Sequence, residues 1–172
     1  MSSNMYVNIK MKKYLAKYCE AKFGNPVRFP KHSHLNVLIY EYLVHKDYMP
    51  GENVEGDYIT LELPYFTRKN VNYYNTISKA GMNSIRSALN NLLFVEYYRE
   101  TIRKYKRGET IDSAIWHFIE KYSLPEDCFA TFRKRIQREM NQLGIPGEKI
   151  MTKEIEIMSD SGEVCPPDVF EQ

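Results

Sequence analysis

Apolar residues recur at three- and four-residue spacings through most of the second half of this chain, while near the start and around residue 60 they alternate with polar ones. The first pattern predicts helices and the second strands, because side chains repeat about every 3.6 residues around a helix and every second residue along a strand. Alternation is cleanest in YITLELP, where Ile59, Leu61 and Leu63 share one face and Tyr58, Thr60 and Glu62 the other. A strand is therefore expected there, with a shorter one at Tyr6–Lys10. Helix follows through KMKKYLAKYCEAKF, stopped by Gly24-Asn25-Pro26, with Tyr14, Leu15, Tyr18 and Phe23 inward and Lys10, Lys13 and Lys17 on one exposed face. Val27–Pro30 reads as extended. A further helix at His34–Val44 has Ser33 as its N-cap and Leu35, Leu38, Ile39, Tyr42 and Leu43 as its apolar side.

Beyond Pro64 the pattern is helical. A short helix from about Asn70 is expected to be separated by Gly81 from a long one running from about Asn83 to Lys106, with Ile85, Leu89, Leu92, Leu93 and Val95–Tyr97 as its core. After Gly108, residues Ile111, Ala114, Ile115, Phe118, Ile119 and Tyr122 make one stripe. Ser123 and Glu126 stand in the S-x-x-E relation of a capping box, so the next helix is expected to begin near Leu124 with Pro125 in its first turn. Phe129, Phe132, Ile136, Met140 and Leu143 form its inner face, which puts Thr131, Lys134, Arg138 and Asn141 opposite, with Arg133 and Arg135 on the flanks. The elements together predict an α+β fold that is mainly helical. Residues 1–64 form a small α+β region, 65–145 a helical region with the hairpin, and 146–172 an acidic tail expected to be flexible, in which MTKEIEIM has the pattern of a short edge strand.

The segment from Thr110 to Leu143 resembles a helix-turn-helix. Phe118, Tyr122, Leu124, Phe129 and Phe132 fall where that motif needs internal contacts, and Ser123 takes the tight turn often held by Gly. The resemblance implies that the second helix enters the major groove and offers side chains to phosphates and base edges. The nucleic-acid-binding residues it implies are Thr131, Arg133, Lys134, Arg135 and Arg138, supported by Arg103, Lys104 and Arg107 at the basic end of the preceding long helix. Glu126 and Asp127 depart from the pattern, since carboxylates beside phosphates cost affinity, although they also complement the positive end of a helix dipole. An ordinary helical hairpin with a solvated basic face has the same sequence pattern.

Charge changes the picture through its distribution. The net charge is only +2 over 172 residues, but the chain is basic over 1–46, 67–108 and 128–140 and acidic over 47–66, 109–127 and 141–172. Three basic blocks can fold into one positive surface of the kind a phosphate backbone favours. Tyrosine interleaves with Lys, Arg and Asn in NVNYYNTISK and FVEYYRETIRKYKRG, where rings can stack on bases or sugars. The abundance of Tyr, Asn, Ile and Lys is also what an AT-rich genome supplies. No apolar run has the length of a membrane span, the start lacks the apolar core of a secretion signal, and Cys19, Cys128 and Cys165 are odd in number and scattered. A cytoplasmic protein without a disulfide framework or membrane partner is expected.

Catalytic patterns are weak. His32-Ser33-His34 resembles the paired histidines of HUH relaxases and replication nucleases, with Tyr73, Tyr74, Tyr97 and Tyr98 as nominal nucleophiles. In that class the central residue is hydrophobic and on a buried strand, whereas Ser33 follows FPK and caps a helix, and no third ligand accompanies the pair. His45 and His117 have no catalytic neighbours, and glycine-rich phosphate loops, G-x-S-x-G, H-E-x-x-H and paired cysteines are all missing from the sequence. A ribbon-helix-helix reading of YITLELP and the helices around Gly81 is opposed by the glutamate on its outer face and the long insert before Gly81. The expectation is thus a DNA-binding accessory or regulatory protein, of the kind phages and other mobile elements encode, acting on double-stranded DNA without metal, cofactor or catalysis. A homodimer is left open. The alternative is a non-enzymatic protein-interaction or structural module whose contact is a tyrosine-rich surface with Trp116.

Overall fold

The strand periodicities at Tyr6–Lys10 and Tyr58–Glu62 are satisfied by pairing these two segments with each other. In the computed structural model, which describes residues 5–45, 56–66, 68–70 and 72–145, the chain begins with β1 (Tyr6–Lys10), α1 (Lys13–Phe23) and α2 (His34–Tyr42). The short strand β2 (Leu43–Val44), then β3 (Tyr58–Glu62) and the short strand β4 (Thr76–Ile77) follow. The long helix α3 (Lys79–Tyr105), α4 (Ile111–Lys121) and α5 (Phe129–Gln142) complete it, with a 3₁₀ turn at Glu126–Cys128 ahead of α5. The fold is α+β and mainly helical, as the sequence predicts.

β1 and β3 are antiparallel, with Ile9 opposite Ile59 and Val7 opposite Leu61, and the pleat buries Ile9, Ile59 and Leu61 completely while Tyr58 stays exposed. Val27 bridges the other edge of β3, its N–H donating to the Thr60 carbonyl at 2.8 Å and its carbonyl accepting from Glu62 N–H at 3.0 Å. β3 therefore uses both edges within the chain, unlike a strand that pairs across a ribbon-helix-helix dimer. β2 and β4 form a second antiparallel pair, Leu43 opposite Ile77. The long helix α3, which at 27 residues is about 40 Å long, touches α1, α2, α4 and α5, while α1 packs on β3. One apolar cluster runs from Ile9 to Met140, so the parts before and after Pro64 share a core.

Several expected boundaries are corrected. Gly81 does not separate two helices: it lies in the first turn of α3, where its N–H donates to the Ser78 hydroxyl at 3.1 Å. The reason for glycine is space, because a Cβ at this position would stand 2.3 Å from Tyr42 Cβ on α2. Lys10 ends β1 rather than joining the face of α1, and Val95 is exposed although neighbouring Phe94 and Tyr97 are buried. Three consecutive helical positions spread over about 200° and cannot all face inward.

The helix expected from Leu124 starts later, at Phe129, because Ser123 closes α4 instead of opening α5. Ser123 adopts φ 48°, its N–H donates to the Glu120 carbonyl at 3.1 Å, and Leu124 N–H donates to the Ile119 carbonyl at 2.9 Å. Those two bonds are a Schellman motif, in which the residue after the helix takes the left-handed conformation and the next apolar residue folds back. Leu124 does so and is buried. At the far end of α5, Gly144 with φ 65° repeats the device and Leu143 is left exposed rather than in the core. The acidic segment 146–172, with MTKEIEIM, lies outside the described residues.

Candidate nucleic-acid interface

Packing of α4 and α5 on α3 decides which side chains remain for a partner. Ile111, Ala114, Ile115, Phe118 and Ile119 of α4 are buried as their spacing requires, and so are Phe132, Ile136 and Met140 of α5. Tyr97 of α3 sits at the junction, its ring 5.2 Å from that of Phe118 and 4.7 Å from that of Phe132, edge-on to both. Its hydroxyl donates to the Phe132 carbonyl at 3.0 Å, which ties the first half of α5 to α3. With one face so fixed, Thr131, Lys134, Arg138 and Asn141 are exposed on the other. Among the described residues neither Lys134 nor Arg138 has a carboxylate partner.

The remaining sequence-implied residues go elsewhere. Arg133 Nε lies 3.0 Å from Asp112 Oδ1, an ion pair that joins α5 to the first turn of α4. Lys104 Nζ is 2.8 Å from His117 Nδ1 and 3.4 Å from Glu109 Oε2, closing the turn between α3 and α4. Arg103 lines a hollow with Glu96, Arg99, Glu100 and Lys121, where charges of both signs mix. Arg107 is exposed just past α3. Arg135 turns back over the Phe94 ring, 3.9 Å from its centroid, and faces α1 and α3. The structure thus brings Thr131, Lys134 and Arg138 together on one face and disperses the other five.

The connection between α4 and α5 runs from Tyr122 to Cys128 and includes the 3₁₀ turn, longer than the three- or four-residue turn typical of a helix-turn-helix. Glu126 and Asp127 are exposed in that turn, ahead of the positive end of α5. Trp116 stacks on Phe129 with centroids 4.7 Å apart and 21° between planes, and at 39% exposure it caps the margin of the hairpin core.

Sequence reasoning missed Glu96. Its carboxylate accepts from the Tyr18 hydroxyl at 2.6 Å, from the Tyr122 hydroxyl and from the Lys22 ammonium, so one side chain of α3 fastens α1 and the end of α4. Burial alone would raise its pKa, but the three donors outweigh that and bring it down to about 2. The same contacts work on the phenols. Burial and the Glu96 charge push the Tyr18 hydroxyl far up and that of Tyr122 to about 12, so both stay protonated donors. Only a pairing of the basic and tyrosine-rich segments in space reveals this, and the sequence carries no periodic signal for it.

Groups weighed for catalysis are placed as follows. Ser33 caps α2, accepting from Asn36 N–H at 3.3 Å, with His32 and His34 exposed on either side. His45 stacks on Tyr73 at 6.1 Å. Burial raises the Cys19 thiol to about 12 and the Cys128 thiol to about 11, so both act as small apolar groups at neutral pH. Among the described residues no group of three or more His, Cys, Asp or Glu side chains is arranged to hold a metal ion, and no helix is long and apolar enough to cross a membrane. Comparison with protein-family models, curated proteins and solved structures finds no match.

Proposed function

We propose that this protein binds double-stranded DNA as an accessory or regulatory protein, laying the outer face of α5 against the phosphate backbone. The observation that carries the reading is the row Thr131, Lys134 and Arg138, exposed and, among the described residues, without carboxylate partners, on a helix whose opposite side is locked by Phe132, Ile136 and Met140. Such a row costs little ordering of the backbone on binding, because Tyr97 and the aromatic junction already hold α5. The connection longer than a helix-turn-helix favours backbone contact over reading of bases, so modest sequence preference is expected. An origin in a mobile element rests on the Tyr, Asn, Ile and Lys bias of the chain. The competing interaction-module reading draws on the exposed rings of Trp116, Tyr65 and Tyr73.

The test is an anisotropy titration of random-sequence duplex at about 50 and 200 mM salt. Two or three phosphate contacts weaken binding about 10- to 40-fold across that interval. A wild-type protein that binds no duplex at the lower salt contradicts the proposal and leaves the aromatic surface as the contact.

A further inference from the structure

Lys12, Arg86 and Arg135 come one from each basic block of the sequence, and the fold sets all three on the walls of one open cleft of about 310 Å³. The cleft lies between the start of α1, the first half of α3 and α5; Tyr14, Asn83, Ser87 and Asn90 contribute to it and, among the described residues, no carboxylate does. Its polar groups are mostly donors. Asn83 Oδ1 accepts from Arg86 Nη1 at 3.0 Å and Asn90 Oδ1 accepts from the Tyr14 hydroxyl at 3.2 Å, which leaves the amide N–H groups of both asparagines for a ligand. Arg86 Nε is buried without a hydrogen-bond partner among the described residues. The Arg135 guanidinium carbon lies over the Phe94 ring, 3.9 Å from its centroid, a contact that holds the side chain at the cleft. Lys12 immediately precedes α1, whose first N–H groups have no intrahelical acceptor and add positive potential at the same end.

We propose that this cleft binds a phosphate group. Three cations with no counter-charge among the described residues of the lining call for a multiply charged anion, and donors arriving from three separate elements suit a tetrahedral ligand with several acceptor oxygens better than a planar, singly charged carboxylate. The site is distinct from the outer face of α5: Arg135 serves the cleft, whereas Lys134 and Arg138 lie outside it. It stands whether or not that outer face binds DNA. The phosphate belongs either to a nucleic-acid backbone or to a free phosphate compound, and the chemistry of recognition is the same.

The probe is inorganic pyrophosphate, titrated into the full chain by calorimetry and by thermal unfolding, against sodium chloride of matched ionic strength. Saturable binding that raises Tm is expected, weakened about tenfold or more in Arg86→Gln and in Lys12→Ala and unchanged in Lys134→Ala/Arg138→Ala. Lys12 is exposed and outside the core, so Lys12→Ala gives an answer even if Arg86→Gln fails to fold. No saturable binding by the wild type, or equal affinity in Lys12→Ala, overturns the proposal, as does loss of pyrophosphate binding in the Lys134→Ala/Arg138→Ala pair. Duplex DNA that displaces pyrophosphate supports a backbone phosphate as occupant, and pyrophosphate binding that duplex leaves intact supports a free phosphate compound.

Discussion

Replacing Gly81 by Ala sets two effects against each other. Helix propensity favours the change by about 1 kcal/mol, since alanine costs less backbone entropy in a helix than glycine. Packing opposes it. A Cβ at residue 81 would lie 2.3 Å from Tyr42 Cβ, 2.7 Å from Tyr42 Cγ and 2.9 Å from Ile77 Cγ2. Neither neighbour can give way alone, because Tyr42 Cβ moves only with the backbone of α2 and Ile77 is fully buried on β4. Restoring ordinary carbon contacts near 3.5 Å requires α2 and α3 to separate by about 1 Å. That movement also strains the β2–β4 pairing and the 3.1 Å bond from Ser78 N–H to the Tyr42 carbonyl. Overpacking costs about 1–3 kcal/mol and more where backbone must shift. With backbone forced to shift, the upper end of that range applies, and about 3 kcal/mol set against the propensity gain of about 1 leaves a net loss of about 2 kcal/mol, which lowers Tm by about 4–8 °C. Urea denaturation followed by circular dichroism, with an unchanged slope, measures it. A Gly81→Ala protein as stable as the wild type or more so refutes the close approach of α2 and α3.

Glu96 makes acid stability a second test: with its carboxyl at about 2 in the fold and near its ordinary 4.5 when unfolded, its contribution is present above about pH 4.5 and lost as pH falls toward 2. Allowing for solvent at the part-exposed Lys22, this is worth about 2 kcal/mol, and Glu96→Gln is expected to lower neutral stability by that amount while flattening the pH dependence in this window. An unaltered acid limb in Glu96→Gln would remove Glu96 from the account. At the end of α4, Ser123→Val is expected to cost about 1–2 kcal/mol and Ser123→Gly nearly nothing, because a β-branched residue resists a positive φ. Equal denaturation midpoints for the two variants would mean that the turn is not the Schellman motif described.

What was legible in the sequence was local and periodic. The alternation around Ile59 and Leu61 and the stripe from Ile111 to Ile119 fixed their own burial, because in each case one regular element decides which way the residues point. Ser123 carries the S-x-x-E pattern that suits the start of one helix, while in the fold it ends another; the sequence does not say which helix claims a junction residue. Gly81 reads as a breaker until Tyr42 is seen against it. The alternating charge blocks were visible, but not that Lys12, Arg86 and Arg135 meet in one cleft, nor that Glu96 finds Tyr18 and Lys22 more than 70 residues away. For the candidate interface, helical spacing separated Thr131, Lys134 and Arg138 from the core. It could not show that Asp112 engages Arg133 or that Phe94 draws Arg135 inward.

The role of α5 is tested most directly by measuring duplex affinity against salt for the wild type and for Lys134→Ala/Arg138→Ala, side by side, with circular dichroism to confirm that both are folded. Both side chains are exposed and outside the apolar core, so the fold should be kept. Loss of two phosphate contacts should weaken binding at low salt and flatten the slope of log K against log salt by about two units. A folded double variant that binds duplex with the affinity and slope of the wild type would contradict the assignment of the outer face of α5 to DNA.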